Sequence, residues 1–145
     1  MRVSRIALNG ISIMAVGVSA FAAGVSVGQE KKAEPKVYEL RTYTTLPGRL
    51  PALHKRFAEH TMKFFEKQGM KNGMYWVPTD EARKDNTLIY LLVHESQEAA
   101  DKSWKAFGAD PEWIKVRDAS EADGKILAKA PERVFMKLTE YSPSR

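Results

Sequence analysis

Three histidines, no cysteine and one short run of alternating charged and aromatic residues set out the chemistry open to this chain. His54 and His60 are six residues apart. On a helix that spacing puts them about 120° apart around the axis, whereas a shared metal calls for an i, i+4 pair. A three-histidine site would also need His94, so no metal is expected. The lack of cysteine rules out thiolate metal sites, disulfides, a cysteine nucleophile and a lipid-modified cysteine. No G-x-S-x-G, glycine-rich phosphate loop or dinucleotide fingerprint occurs, so no cofactor is expected either.

The remaining candidates lie on two segments. Val37–Tyr43 reads V-Y-E-L-R-T-Y, and Thr87–His94 reads T-L-I-Y-L-L-V-H. Arg41 could anchor an anion or a carbonyl with Glu39 fixing its orientation, or the two could form an ion pair at an interface. His94 is the candidate general acid or base, against the alternative of a strand-end histidine half in water. The candidate catalytic set is His94, Arg41 and Tyr43. The candidate ligand-binding set is Glu39, Arg41, Tyr43, Trp76 and Tyr90, whose aromatic members would line an apolar pocket or pack an interface. His60, between Phe57 and Phe64, reads as a core residue, and Asp80-Glu81 as a solvated turn.

Periodicity supplies the elements that position these groups. Val37–Thr45, Met74–Val77, Thr87–His94 and Arg133–Leu138 read as strands. Leu50–Gln68 carries apolar residues at helical spacing, with Pro51 in its first turn and Gly69 as its stop. Ser96 is an N-cap for a second helix bearing Ala100, Trp104 and Phe107 and ending at Gly108. Asp110-Pro111-Glu112 starts another, with Trp113 and Val116 inward. Trp104 and Trp113 are assigned to the core, and Ala119–Lys129 stays ambiguous. The order is strand, helix, strand, strand, helix, strand, the split pattern of an α+β, ferredoxin-like antiparallel sheet with helices on one face.

Alternation then divides the strands. Tyr38, Leu40 and Thr42 share one side with Ile89, Leu91 and Val93, and the apolar rule assigns that side to the helices. Glu39, Arg41 and Tyr43 share the other with Leu88, Tyr90, Leu92 and His94, joined by Tyr75 or Trp76 and by Phe135 and Lys137. This open face is too apolar for water and too polar for a dry core, so it is expected to pack on a partner and enclose something.

The first 22 residues form a basic, then apolar, then A-x-A leader expected to be cleaved after Ala22. The alternative is an uncleaved anchor, since Ile6–Val27 has 22 uncharged residues. Either way the domain is expected to be exported, periplasmic or secreted, without a membrane segment once the leader is gone. Residues 23–36 form a polar linker, and 37–142 form the domain. Formal net charge is +5, and loss of Arg2 and Arg5 would leave +3, too small and too evenly spread to argue for nucleic acid.

Y-E-L-R-T-Y-T-T-L-P-G-R-L at Tyr38–Leu50, Y-W at Tyr75-Trp76, S-W-K-A-F-G-A-D-P-E-W at Ser103–Trp113 and V-R-D-A-S-E-A-D-G at Val116–Gly124 together resemble the NIPSNAP family. The resemblance covers essentially all of Val37–Ser142. It implies a dimeric α+β barrel in which two sheets meet through their open faces, placing Glu39, Arg41 and Tyr43 in a lumen. The wider superfamily includes cofactor-independent monooxygenases, haem-degrading enzymes and isomerases. A homodimer binding a small apolar or aromatic ligand, or a protein, is therefore expected, with a cofactor-independent monooxygenase or isomerase as the alternative.

Overall fold

The computed structural model describes residues 36–143. The expected leader and nearly all of the polar linker lie outside the described residues. Within them, no helix is long and apolar enough to cross a membrane.

The elements are β1 (Val37–Thr44), α1 (Leu50–Arg56), a π-helical turn (Phe57–Thr61), α2 (Met62–Lys67), β2 (Lys71–Trp76), β3 (Thr87–His94), α3 (Gln97–Ala109), α4 (Pro111–Ser120) and β4 (Glu132–Met136). The sheet order is β2-β3-β1-β4 with every neighbouring pair antiparallel. This is the expected ferredoxin-like α+β arrangement.

Local chemistry accounts for the element ends. Gly69 takes φ +79°, a left-handed value suited to glycine, just after α2. The Ser96 hydroxyl accepts from the Ala99 amide at 3.1 Å and caps α3. Asp110 accepts from the amides of Glu112 and Trp113, with Pro111 in the first turn of α4. Gly108 falls within α3 and does not end it; the chain leaves the helix at Asp110, whose extended backbone starts the next cap.

The division of the strands holds, but its two sides are exchanged. Val37, Glu39, Arg41, Tyr43, Leu88, Tyr90, Leu92 and His94 are buried on the side of β1 and β3 beneath the helices, and Thr87 at the start of β3 is buried as well. Tyr38, Leu40, Thr42, Ile89, Leu91 and Val93 are only half-buried, on the side the helices leave open. The expected lumen position of Glu39, Arg41 and Tyr43 is therefore corrected. Burying a charge is tolerable when it is paired and hydrogen-bonded, and these charges meet that condition under α3.

The edge strands follow the same rows. In β2, Asn72 opposes Leu92 and Tyr75 opposes Tyr90, so Gly73 and Met74 together face Leu91 in a bulge. Tyr75 thus joins the helix side while Trp76, opposite Ile89, joins the open side. In β4, Phe135 opposes Glu39 and belongs to the helix side, whereas Lys137 lies beyond the strand.

The helix segment from Leu50 to Lys67 is not regular. The Met62 amide bonds the carbonyl of Phe57, five residues back, which widens one turn. From the wide turn onward, Phe57, Thr61 and Phe65 are the buried residues, at spacings of four, following Leu50, Leu53 and Arg56 in α1. Thr61 takes the inward place expected for His60, and His60 is exposed. The buried Thr61 hydroxyl donates to the carbonyl of Arg56 at 3.1 Å, so it is satisfied within the helix.

Candidate functional site

Two features could do chemistry. The first is an enclosed polar cluster. Glu39, fully buried on β1, accepts from Arg41 Nη1 at 2.9 Å through one oxygen. Its other oxygen lies 2.9 Å from His94 Nε2 and accepts from the Trp104 indole at 2.6 Å. The Arg41 guanidinium stacks 4.1 Å from the Trp104 ring centroid. β1 and β3 bring Arg41 opposite Tyr90, and α3 lays Trp104 over both charges.

Burial alone would raise the Glu39 pKa, but hydrogen bonds from His94, Trp104 and Arg41 outweigh it and hold the carboxyl below its ordinary value. Glu39 is thus the anionic hub of the cluster. Burial pushes the hydroxyls of Tyr90 and Tyr75 above the usual phenol range, so both are neutral. Arg41 Nε and His94 Nδ1 are buried and find no partner among the described residues. The candidate catalytic residues His94, Arg41 and Tyr43 are therefore brought to one side of the sheet, all within the packed interior.

The second feature is an apolar cleft of about 260 Å³ between the helix and the β2–β3 edge. Its helix wall is His54, Ala58 and Met62, and its strand wall is Tyr75, Trp76 and Val77, with Phe57 and Leu88 also lining it. Phe57 packs edge-on against Tyr75 and Tyr90, with centroids 5.9 and 5.1 Å away. Trp76 is 42 % exposed and Val77 39 % exposed, so the strand wall is an apolar surface open to water. The wide π turn supplies Phe57 and Ala58 to the cleft, and the Asn72 side chain holds its far end by donating to the Met62 carbonyl at 3.0 Å. The same Asn72 accepts from the Tyr75 hydroxyl at 2.5 Å, fixing that ring in the wall.

Of the expected ligand-binding residues, Trp76 lines this cleft, while Glu39, Arg41, Tyr43 and Tyr90 are buried behind it or under α3. Sequence reasoning missed His54 and Ala58 as wall residues and Trp104 as a partner of Glu39. The β2 bulge that turns Trp76 outward is signalled by Gly73: a Cβ there would stand 2.8 Å from the Leu91 carbonyl oxygen. No group of three or more histidine or acidic side chains that could hold a metal is found among the described residues.

Known structures share this fold. A NIPSNAP family protein of unknown function from Agrobacterium tumefaciens is 21% identical, with a TM-score of 0.62 over 75% of this chain and 93% of its own. SnoaB, a cofactor-independent oxygenase from Streptomyces nogalater, is 17% identical, with a TM-score of 0.51 over 75% of this chain and 98% of its own. The ActVA-Orf6 monooxygenase of Streptomyces coelicolor, in complex with the ligand nanaomycin D, is 19% identical, with a TM-score of 0.51 over 74% of this chain and 91% of its own. No curated protein matches the chain. The NIPSNAP family model matches residues 38–143, all but the first two of the described residues, and the chain belongs to the NIPSNAP family.

Proposed function

We propose that this domain binds a small apolar or aromatic molecule in the cleft between the π turn and β2. The observation that carries the reading is the wall itself: aromatic and aliphatic side chains around about 260 Å³, with Trp76 left exposed at the rim. Apolar concavities with few polar groups are the usual form of small-molecule sites. π turns also recur at functional positions in helices. The fold shared with a monooxygenase holding nanaomycin D supports the same reading.

The working form in this reading is an exported homodimer. The leader-like N-terminus supports export. Dimerisation is supported by the open side of the sheet, where Leu40 lies between Leu91 and Val134, and where Val134 and Met74 are exposed. An apolar sheet face of this kind is unfavourable in water and suits a self-complementary contact.

Native mass spectrometry of gently purified protein tests the reading. A dimer carrying a reproducible extra mass, absent from an Ala58→Trp variant, is the expected result. A dimer without bound mass in both proteins, and without uptake of added aromatic probes, would overturn ligand binding; a monomer would overturn the assembly.

A second reading, a cofactor-independent oxygenase or isomerase, is favoured by the 2.9 Å pairing of His94 with Glu39 beside Arg41 and Tyr43. It requires substrate to reach beneath α3. Its test is turnover in a His94→Ala variant that keeps its fold and ligand: lost turnover supports it, and unchanged turnover removes it.

A further inference from the structure

The cleft is apolar but not uniformly so, and the position of its polar group specifies what it takes. His54 stands on the last part of α1, on the same helix stripe as Ala58 and Met62. Its ring is at the surface, and among the described residues it makes no hydrogen bond or ion pair. Of the other polar side chains in the lining, Tyr75 already donates its hydroxyl proton to Asn72, and the Trp76 indole can donate but not accept. An imidazole can donate from one nitrogen and accept at the other, so it can meet either a hydroxyl or a carbonyl. In apolar pockets, a single placed polar group fixes ligand orientation.

Resting on the binding function proposed above, we propose that His54 is a specificity-determining residue and that the ligand is a planar aromatic of one or two rings bearing an oxygen at its outer end. The ring would lie between Ala58 and Met62 on one side and Tyr75 and Val77 on the other, over Phe57 and Leu88, with Trp76 at the outer rim. The oxygen would hydrogen-bond to His54 at the rim. About 260 Å³ accommodates a fused two-ring skeleton, and the small side chain of Ala58 leaves the helix wall flat enough to receive it. A fully apolar ligand would gain the ring contacts without the bond at the rim.

The test is equilibrium dialysis of the purified protein against 1-naphthol and 1-methylnaphthalene, which match in shape and differ in the oxygen. His54→Leu, at an exposed position, should weaken 1-naphthol binding about fivefold, the scale of one neutral hydrogen bond, and leave 1-methylnaphthalene unchanged. His54→Asn should restore 1-naphthol binding. If His54→Leu changes both probes alike or neither, while Ala58→Trp still abolishes binding, the His54 assignment falls and the cleft stands. If neither probe binds the unmodified protein, the cleft reading falls with it.

Discussion

Trp104, on α3, donates its indole N–H to Glu39, on β1, at 2.6 Å, and its ring covers the Arg41 guanidinium at 4.1 Å. One side chain therefore satisfies the anion and stacks on the cation of a buried pair. α3 is fastened to the sheet through this contact as well as through the packing of Ala100 and Phe107. Trp104→Phe keeps the ring against Phe65 and Phe107 but removes the bond to a charged acceptor. It should cost about 1.5–3 kcal/mol, read by urea denaturation. An unchanged midpoint would show that the indole bond contributes nothing net.

Glu39→Gln removes the anion and leaves Arg41 buried without its partner. The expected loss is about 3–5 kcal/mol in unfolding free energy. The pH dependence identifies the cause. Because the folded protein holds the Glu39 carboxyl below its ordinary value of 4.5, folding favours the ionised form. Its stabilisation is complete above that value and is lost as pH falls below it. Asp110 and Asp123 are lowered too, by Lys67 and Arg49 respectively, and share the acid limb. The difference between wild type and Glu39→Gln should thus shrink as pH is lowered below 4.5. A difference independent of pH there would argue against an ionised Glu39.

Leu40→Glu probes the open sheet face. Leu40 sits between Leu91 and Val134, so a charge there meets whatever covers the centre of the face. The variant should sediment as a folded monomer if the wild type is a dimer through this face, with its circular dichroism unchanged. A persistent dimer would locate the contact elsewhere.

Gly73→Ala tests the bulge. The added Cβ would be 2.8 Å from the Leu91 carbonyl oxygen, closer than backbone can tolerate without shifting. A destabilisation of about 1–3 kcal/mol is expected, as for other overpacked positions, together with weakened ligand binding because Tyr75 and Trp76 follow the bulge. Calorimetry and probe dialysis on the same variant check both effects.

Much of the architecture is legible in the sequence because it is local. The caps at Ser96 and Asp110 and the stop at Gly69 each act over a few residues, and alternation pairs the residues of β1 and β3 correctly. Alternation cannot say which side the helices cover. The rule that apolar residues go inward fails at Glu39 because its partner Trp104 is 65 positions away, and nothing in V-Y-E-L-R-T-Y announces it. His60 is misplaced for a related reason. Phe57 and Phe64 fit a regular helix in sequence, whereas the wide turn puts Thr61 inward. The cleft escapes notice altogether, since its walls draw on α1, the π turn, α2, β2 and β3 and no one segment carries its pattern.

The π turn also makes the cleft sensitive to chain length in a way that substitutions do not reach. A π turn holds one residue more than the regular helix it interrupts. Deleting a single residue between Phe57 and Thr61 would let the segment relax to an uninterrupted α-helix while the parts before and after it keep nearly their present phase, because the wide turn absorbs the extra residue within itself. His54 and Met62 would still share one stripe, and what would go is the local widening that presents both Phe57 and Ala58 to the cleft. Within such a domain, the gain or loss of one codon at this point would reshape the cleft locally without changing how the rest of the helix is registered on the sheet.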